Sequence, residues 1–335
     1  MQNLPPLPLI DGCLFIDNSF LDLFVCPRKL QYNRLEQRTP TADNVALSFG
    51  TAIHLALEYR YKQTDACNWT DGKNEQAALL HSYFGQHPAP EDDHRDLNFA
   101  IEIIQRYNQR YTFEPFSLLT DQDGRPMVEM SFALPLFSWS SETPLDRESG
   151  TDGWHVPVIY TGRIDLPVMW DDQLIIMDHK TTGMLGSTFF DQYRMSAQQI
   201  GYCWAFEQAT KKKVTGFAVN AIRTKAPTQK MLSGTASNTE IEKWWSEGFF
   251  REREYIQPWR IEEWKENTIA LVREFLWHYK QDYMPMKTRN CTMFGRCPYY
   301  DVCYFPPNNR GTILESNQFV TNNWTPLKTQ LKKVE

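Results

Sequence analysis

No apolar run in the 335-residue sequence approaches the roughly 20 residues needed to cross a bilayer. The opening MQNLPPLPLIDG lacks both the basic start and the apolar stretch of a secretory signal. No membrane span is expected, and a cytoplasmic location is. Neither GxGxxG nor GxxxxGK[ST] occurs, so a glycine loop that cradles nucleotide phosphates is missing and a doubly wound nucleotide-binding fold is disfavoured. Internal repeats and low-complexity tracts are also lacking. Positive charge is in deficit: 35 Lys and Arg against 41 Asp and Glu leave a net −6. That argues against a protein that coats nucleic acid indiscriminately, because phosphate affinity comes from Lys and Arg neutralisation. A local basic groove remains compatible.

What is present describes a globular chain. Hydrophobic residues make up 41% and aromatics 14%, enough for a substantial core in one large domain or two ordinary ones. Basic residues gather in CPRKLQYNRL (26–35), at Lys211 to Lys213 and in FFREREYIQPWR (249–260); taken singly, each reads as a solvated helix face. Apolar spacing predicts helices over 18–37, 44–63, 73–86 and 97–111, with prolines and charges interrupting at 85–96. Period-two patterning predicts a strand over 126–137, a loop over 138–154 and two strands joined by a turn within 156–180. A helix over 191–213, a strand over 214–224 and a largely helical region over 239–283 follow. The expected architecture is α/β, a mixed sheet with helices packed around it.

The stretch YTGRIDLPVMWDDQLIIMDHKTTG (160–183) carries the densest chemistry. If its strands close on Asp171 and Asp172, antiparallel partners have numbers summing to 343, so Trp170 faces Gln173, Asp165 faces Asp178, and Arg163 faces Lys180. Carboxylates so paired lie about 5 Å apart at Cβ and repel unless something positive sits between them. A hard divalent cation such as Mg²⁺ or Mn²⁺ meets that need with oxygen ligands. Lys180, on the same face as Asp178, would stabilise charge building on a scissile phosphate. Without a metal the same residues make an ordinary salt-bridged hairpin. Elsewhere, Gly50 and His54 share a helix face, where glycine permits close backbone approach and His54 offers a nitrogen ligand. Gln198 and Tyr202 likewise share a face and suit contact with a nucleic-acid backbone or support of the site.

In this order GTAIH (50–54), Glu129, GRID (162–165), DHK (178–180) and QQIGY (198–202) resemble the RecB-like branch of the PD-(D/E)xK nuclease superfamily. The resemblance implies a restriction-endonuclease-like sheet flanked by helices and a metal-dependent deoxyribonuclease acting on DNA. It implies His54, Asp165, Asp178 and the backbone carbonyl of His179 as Mg²⁺ or Mn²⁺ ligands, and Lys180 as helper of the attacking water. Gln198 and Tyr202, with Glu129 and Arg163, are implied as DNA-binding or supporting residues; a strand glutamate at 129 could equally pair with Arg163. Ile164 stands where the pattern name has proline.

Seven cysteines in a reducing compartment are expected to serve metals rather than disulfides. Cys13, Cys67 and Cys203 stand alone, whereas Cys291, Cys297 and Cys303 are spaced Cys-x5-Cys-x5-Cys and Cys26 sits in FVCPRKLQY. Four soft thiolates suit an iron-sulfur cluster or structural zinc. The set resembles the iron-sulfur nucleases of the same superfamily, such as the AddB nuclease domain and the CRISPR-adaptation nuclease, which implies a 4Fe-4S cluster. Those usually show Cys-x2-Cys-x5-Cys, so Cys291 departs from the pattern and zinc stays open. Either metal would join the chain ends, favouring a single nuclease domain over 1–335 with parts at 18–111, 126–224, 239–303 and 304–335. A helicase or recombination protein is an expected partner. The competing expectation is a DNA-binding or assembly subunit that cleaves weakly or not at all.

Overall fold

The computed structural model describes residues 4–41, 45–63, 66–67, 69, 73–141, 154–186, 188–293 and 295–325. The chain divides into two compact units, each built from separated stretches: Met1–Ala42, Ser131–Gly162 and Glu262–Glu335 in one, Asp43–Met130 and Arg163–Ile261 in the other.

The second unit carries a sheet of five strands among the described residues: β1 (Phe116–Leu118), β2 (Leu166–Trp170), β3 (Gln173–Thr182), β4 (Gly216–Arg223) and β5 (Phe249–Tyr255), adjacent in that order. β1 pairs antiparallel with β2 and β2 with β3, β3 and β4 run parallel, and β5 returns antiparallel to β4. The parallel step needs a crossover, which includes the helix Ala197–Thr210. Helices α1 (Val45–Tyr61), α2 (Lys73–Gln86), α3 (Leu97–Arg110) and α4 (Ala197–Thr210) belong to this unit. α1 buries Phe49, Ile53, Ala56, Leu57 and Tyr61, a helical stripe that joins Ile175 and Met177 of β3 and Ala218 and Ile222 of β4 in one core. α3 starts at Asp96, whose carboxylate accepts the Phe99 N–H at 2.8 Å, an N-cap that satisfies an otherwise orphaned donor. β3 is buried from Leu174 through His179, the near-continuous burial of a strand covered on both faces.

Four expectations shift in register or type. The segment 249–255 is a strand, pairing from Phe249 with Ile222 to Tyr255 with Gly216; its alternating Phe, Arg, Arg and Tyr suit the sheet edge, so it is not part of a solvated helix. The helix expected over 18–37 breaks at Cys26, which is extended (φ −154°, ψ 110°), because the residue before a proline is pushed out of the α region. The strand expected over 126–137 runs from Met130 to Ser141, with Glu129 turned into the left-handed region at φ 53°. The two strands expected within 156–180 are three, since Trp154–Ile164 ends before Asp165 and β2 begins after it. Residues 142–153 of the expected loop lie outside the described residues.

In the first unit Leu9–Ile10, Cys13–Ile16, Trp154–Ile164 and Met130–Ser141 are neighbours in that order. Phe319–Thr321 pairs antiparallel with Arg38–Pro40. Beside that ribbon Tyr32, Tyr299, Val302, Leu314 and Phe319 form a small core with Cys297 and Cys303 packed against it. Burial pushes the Cys291 thiol up, and the thiols of Cys297 and Cys26 add to the shift. Cys303 is pushed up by burial, with Cys26 contributing. The four cysteines are therefore within electrostatic reach of one another in a chain of pairs. Among the described residues no three of their sulfurs lie within 4.8 Å of one another, so a bound cluster is not shown.

Candidate active site

The hairpin β2–β3 closes through Asp171 and Asp172, both with positive φ (50° and 59°), the backbone of a two-residue turn whose twist matches the strands. That turn fixes the register at Trp170↔Gln173 through Leu166↔Met177, the expected sum of 343. The ladder stops there, and Asp165 leaves it. Its carbonyl accepts the Glu129 N–H at 2.8 Å, and its Oδ2 accepts the His179 N–H at 2.8 Å. Arg163 consequently meets Glu129, Nε to Oε2, instead of Lys180.

Two clusters result. On one side His54 from α1 brings Nδ1 to 3.6 Å from Asp165 Oδ2. His54, Glu129 and Asp165 place ligand atoms within 4.8 Å of one another. The absence of a side chain at Gly50 lets α1 approach this closely: a Cβ there would stand 2.9 Å from Thr181 Oγ1 of β3, so a larger residue would have to displace that hydroxyl. On the other side Asp178 accepts Lys180 Nζ at 2.6 Å and Gln199 Nε2 at 3.0 Å. Lys180 also donates to Gln198 Oε1 at 3.0 Å, and Gln198 Nε2 donates to the Tyr202 hydroxyl at 3.1 Å. Of the α4 pair expected to support the site, Gln198 touches Lys180 and Tyr202 touches Gln198, while Gln199, next in sequence and fully buried, escaped sequence reasoning. A polar residue on the buried face of α4 was the signal for it. Asp178 does not join the group formed by His54, Glu129 and Asp165.

The electrostatics favour a cation. Burial raises the Asp165 pKa; Asp178 adds to the rise, while His54 and Lys180 oppose it, so a carboxylate in this position gains from further positive charge. For Lys180 burial acts downward, but Asp178 and Asp165 more than offset it and the ammonium is stabilised. Tyr202 is pushed up to about 12, by burial first and then by Asp178 and Asp165, and stays protonated. One imidazole and carboxylate oxygens are donors that fit Mg²⁺ or Mn²⁺.

Behind the site lies a buried network that the sequence did not disclose. His179 stacks on Tyr61 with centroids 5.6 Å apart, and its Nδ1 accepts from Asn220 Nδ2 at 2.7 Å. Asn220 Oδ1 accepts from Arg251 Nε at 3.0 Å. Arg251 and Arg60 both pair with Glu114, which also accepts the Tyr61 hydroxyl at 2.6 Å. Burial holds the His179 imidazole well below its usual pKa, with His54 and Arg251 adding to the shift, so it is neutral and suited to accept that bond. Had FFREREY been read with a period of two, Arg251 would have emerged on an inward face.

The family model of the PD-(D/E)XK nuclease superfamily matches residues 21–304. The chain belongs to that superfamily. Nuclease chemistry, a divalent metal and DNA as substrate follow at the level of the superfamily, and the His54, Glu129 and Asp165 group supplies donors for such an ion. No curated protein matches. Among solved structures, a candidate exonuclease from Eubacterium rectale is 11% identical, over 83% of this chain and 85% of that one, with TM-score 0.42. SSO0001 is 12% identical over 79% and 80%, with TM-score 0.29. At these scores neither likeness bears on function. Among the described residues no helix of this nuclease is long and apolar enough to cross a membrane.

Proposed function

We propose that this member of the superfamily is a Mg²⁺- or Mn²⁺-dependent deoxyribonuclease of the RecB-like, iron-sulfur branch, exonucleolytic or single-strand-directed. It would act in recombination, repair or phage DNA processing in the cytoplasm, alongside a helicase or recombination protein. The observation that carries the reading is the convergence at the β2–β3 hairpin of His54 and Asp165 on one side and the Asp178–Lys180 pair on the other. His54, Asp165, Asp178 and the His179 carbonyl would hold the cation. When bound, it supplies Lewis acidity to the phosphodiester and to the attacking water.

The chain's own groups do the rest. Lys180, kept charged by Asp178 and Asp165, orients the attacking water and stabilises negative charge on the phosphoryl oxygens. Gln198, braced by Tyr202, holds Lys180 in place; the pair would present hydrogen-bond donors toward the DNA backbone, and Arg163, on Glu129, would offer a guanidinium to it. Cys26, Cys291, Cys297 and Cys303 would hold a 4Fe-4S cluster that ties the chain ends together, making residues 1–335 one functional domain; structural zinc is the alternative occupant.

The test is an anaerobic assay on end-labelled single-stranded and duplex DNA with Mg²⁺ or Mn²⁺. Metal-dependent release of short products from one labelled end supports the reading. DNA binding without cleavage under every metal condition would instead make the chain a binding or assembly subunit.

A further inference from the structure

Glu129 occupies a position that two cations can claim. It is 2% exposed, its backbone stands at φ 53°, and its N–H is tied to the Asp165 carbonyl at 2.8 Å. A left-handed glutamate is disfavoured and persists only where its surroundings fix it, a circumstance concentrated at functional sites. The consequence is that its carboxylate lies with the His54 and Asp165 ligand atoms, all within 4.8 Å. The same carboxylate carries the Arg163 guanidinium on Oε2. Arg163 is the exposed partner, with 41% of its side chain accessible against 2% for Glu129.

A guanidinium and a divalent cation on one buried carboxylate repel each other strongly where the effective dielectric is low. The cation brings twice the charge and two further ligands. Arg163 has a long side chain and access to solvent. Its planar fork also matches a phosphate in bidentate fashion, which an ammonium does not.

We propose that Arg163 and the divalent cation compete for Glu129: metal loading takes Glu129 as an additional ligand and releases Arg163 to hold a phosphate of the incoming strand. The inference rests on the nuclease reading, because it places Glu129 in the ligand set of that same metal. It makes Glu129 a metal ligand and Arg163 a metal-gated substrate contact. Without metal, the arginine neutralises the glutamate; with metal, it becomes available where DNA arrives. Metal and substrate binding are thereby coupled in the thermodynamic sense, each strengthening the other.

The experiment measures Mn²⁺ binding by calorimetry and by the loss of the free-ion paramagnetic resonance signal, on the full chain and on Arg163→Ala, Arg163→Gln, Glu129→Gln and Asp165→Asn, with circular dichroism confirming folding. Both Arg163 variants are expected to bind Mn²⁺ about fivefold tighter or more, and Glu129→Gln about tenfold weaker or more. In parallel, a single-stranded oligonucleotide is titrated with and without Ca²⁺ as a non-cleaving ion over a salt series. Removal of Arg163 should lower the salt slope by about one phosphate contact only when Ca²⁺ is present. Unchanged Mn²⁺ affinity in both Arg163 variants, or in Glu129→Gln, overturns the competition while leaving the nuclease reading in place. Unchanged affinity in Asp165→Asn overturns the nuclease site itself.

Discussion

Asp165 Oδ2 accepts the backbone N–H of His179 at 2.8 Å while lying 3.6 Å from His54 Nδ1. One oxygen therefore ties the end of β2 to β3 and faces the imidazole of α1. The two roles separate by substitution. In Asp165→Asn an amide oxygen still accepts the His179 N–H, but the negative charge is gone. Cleavage should fall by about 100-fold or more with a thermal midpoint close to that of the parent. Asp165→Ala should lose activity equally and also cost about 1–3 kcal/mol, because a buried N–H is left unsatisfied. Steady-state cleavage and thermal denaturation of both variants check this; parental activity in Asp165→Asn rejects the site.

Lys180 bridges Asp178, at 2.6 Å, and Gln198, at 3.0 Å. Lys180→Met keeps the aliphatic stem and removes the charge, so the expected loss is about 10²- to 10⁴-fold in kcat with metal affinity largely retained. Gln199→Leu is the contrasting variant, since Gln199 contacts Asp178 at 3.0 Å and is fully buried. It should weaken Mn²⁺ binding about tenfold. A kcat unaffected by Lys180→Met would remove the lysine from the mechanism.

The hairpin was legible because a two-residue turn and a period of two determine register together: once Asp171 and Asp172 are the turn, Trp170↔Gln173 follows. The helix stripe of α1 and the close approach that Gly50 permits were legible for the same local reasons. Position 129 was not, since its backbone angle of 53° depends on the tether to Asp165, which no periodicity reveals. The Arg251–Glu114 pair was hidden differently. The partners are far apart in sequence and meet only after β5 joins β4, so FFREREY alone looks like a charged surface helix. Charge in sequence predicts exposure on average, and the buried exceptions are those with a distant partner.

Among the described residues, Glu114 is the carboxylate that Arg60 and Arg251, both buried, share. Its removal leaves two guanidiniums without their anion, so Glu114→Ala should destabilise the fold by about 3–5 kcal/mol. Urea unfolding measures it. The double variant Glu114→Leu with Arg251→Leu should be less destabilised than the sum of the two single changes, because Glu114→Leu alone strands two guanidiniums whereas the double variant strands only that of Arg60. A Glu114→Ala loss below about 1 kcal/mol would mean that Arg60 and Arg251 find other partners, since a well-paired buried ion resists removal more strongly than that.

The cysteines give the remaining prediction, and its sign follows from topology. Cys26 lies near one end of the chain and Cys291, Cys297 and Cys303 near the other, so a ligated metal closes almost the whole chain into one loop. By chain entropy a link over so long a loop stabilises by on the order of 5 kcal/mol, and it does so without touching the hairpin that carries Asp165 and Asp178. Protein purified without oxygen should be brown, absorb near about 400 nm as iron-sulfur thiolates do, and lose several degrees in thermal midpoint on Cys26→Ser. The extended backbone at Cys26, set by Pro27, aims this residue out of helical register, which is why Cys26→Ser should affect the metal more than the local helix. Stoichiometric zinc with no iron would reassign the set to a structural zinc site. Neither metal, with an unchanged midpoint in Cys26→Ser, would leave Cys297 and Cys303 as packing residues beside Tyr32 and Tyr299 and the other two without a metal role.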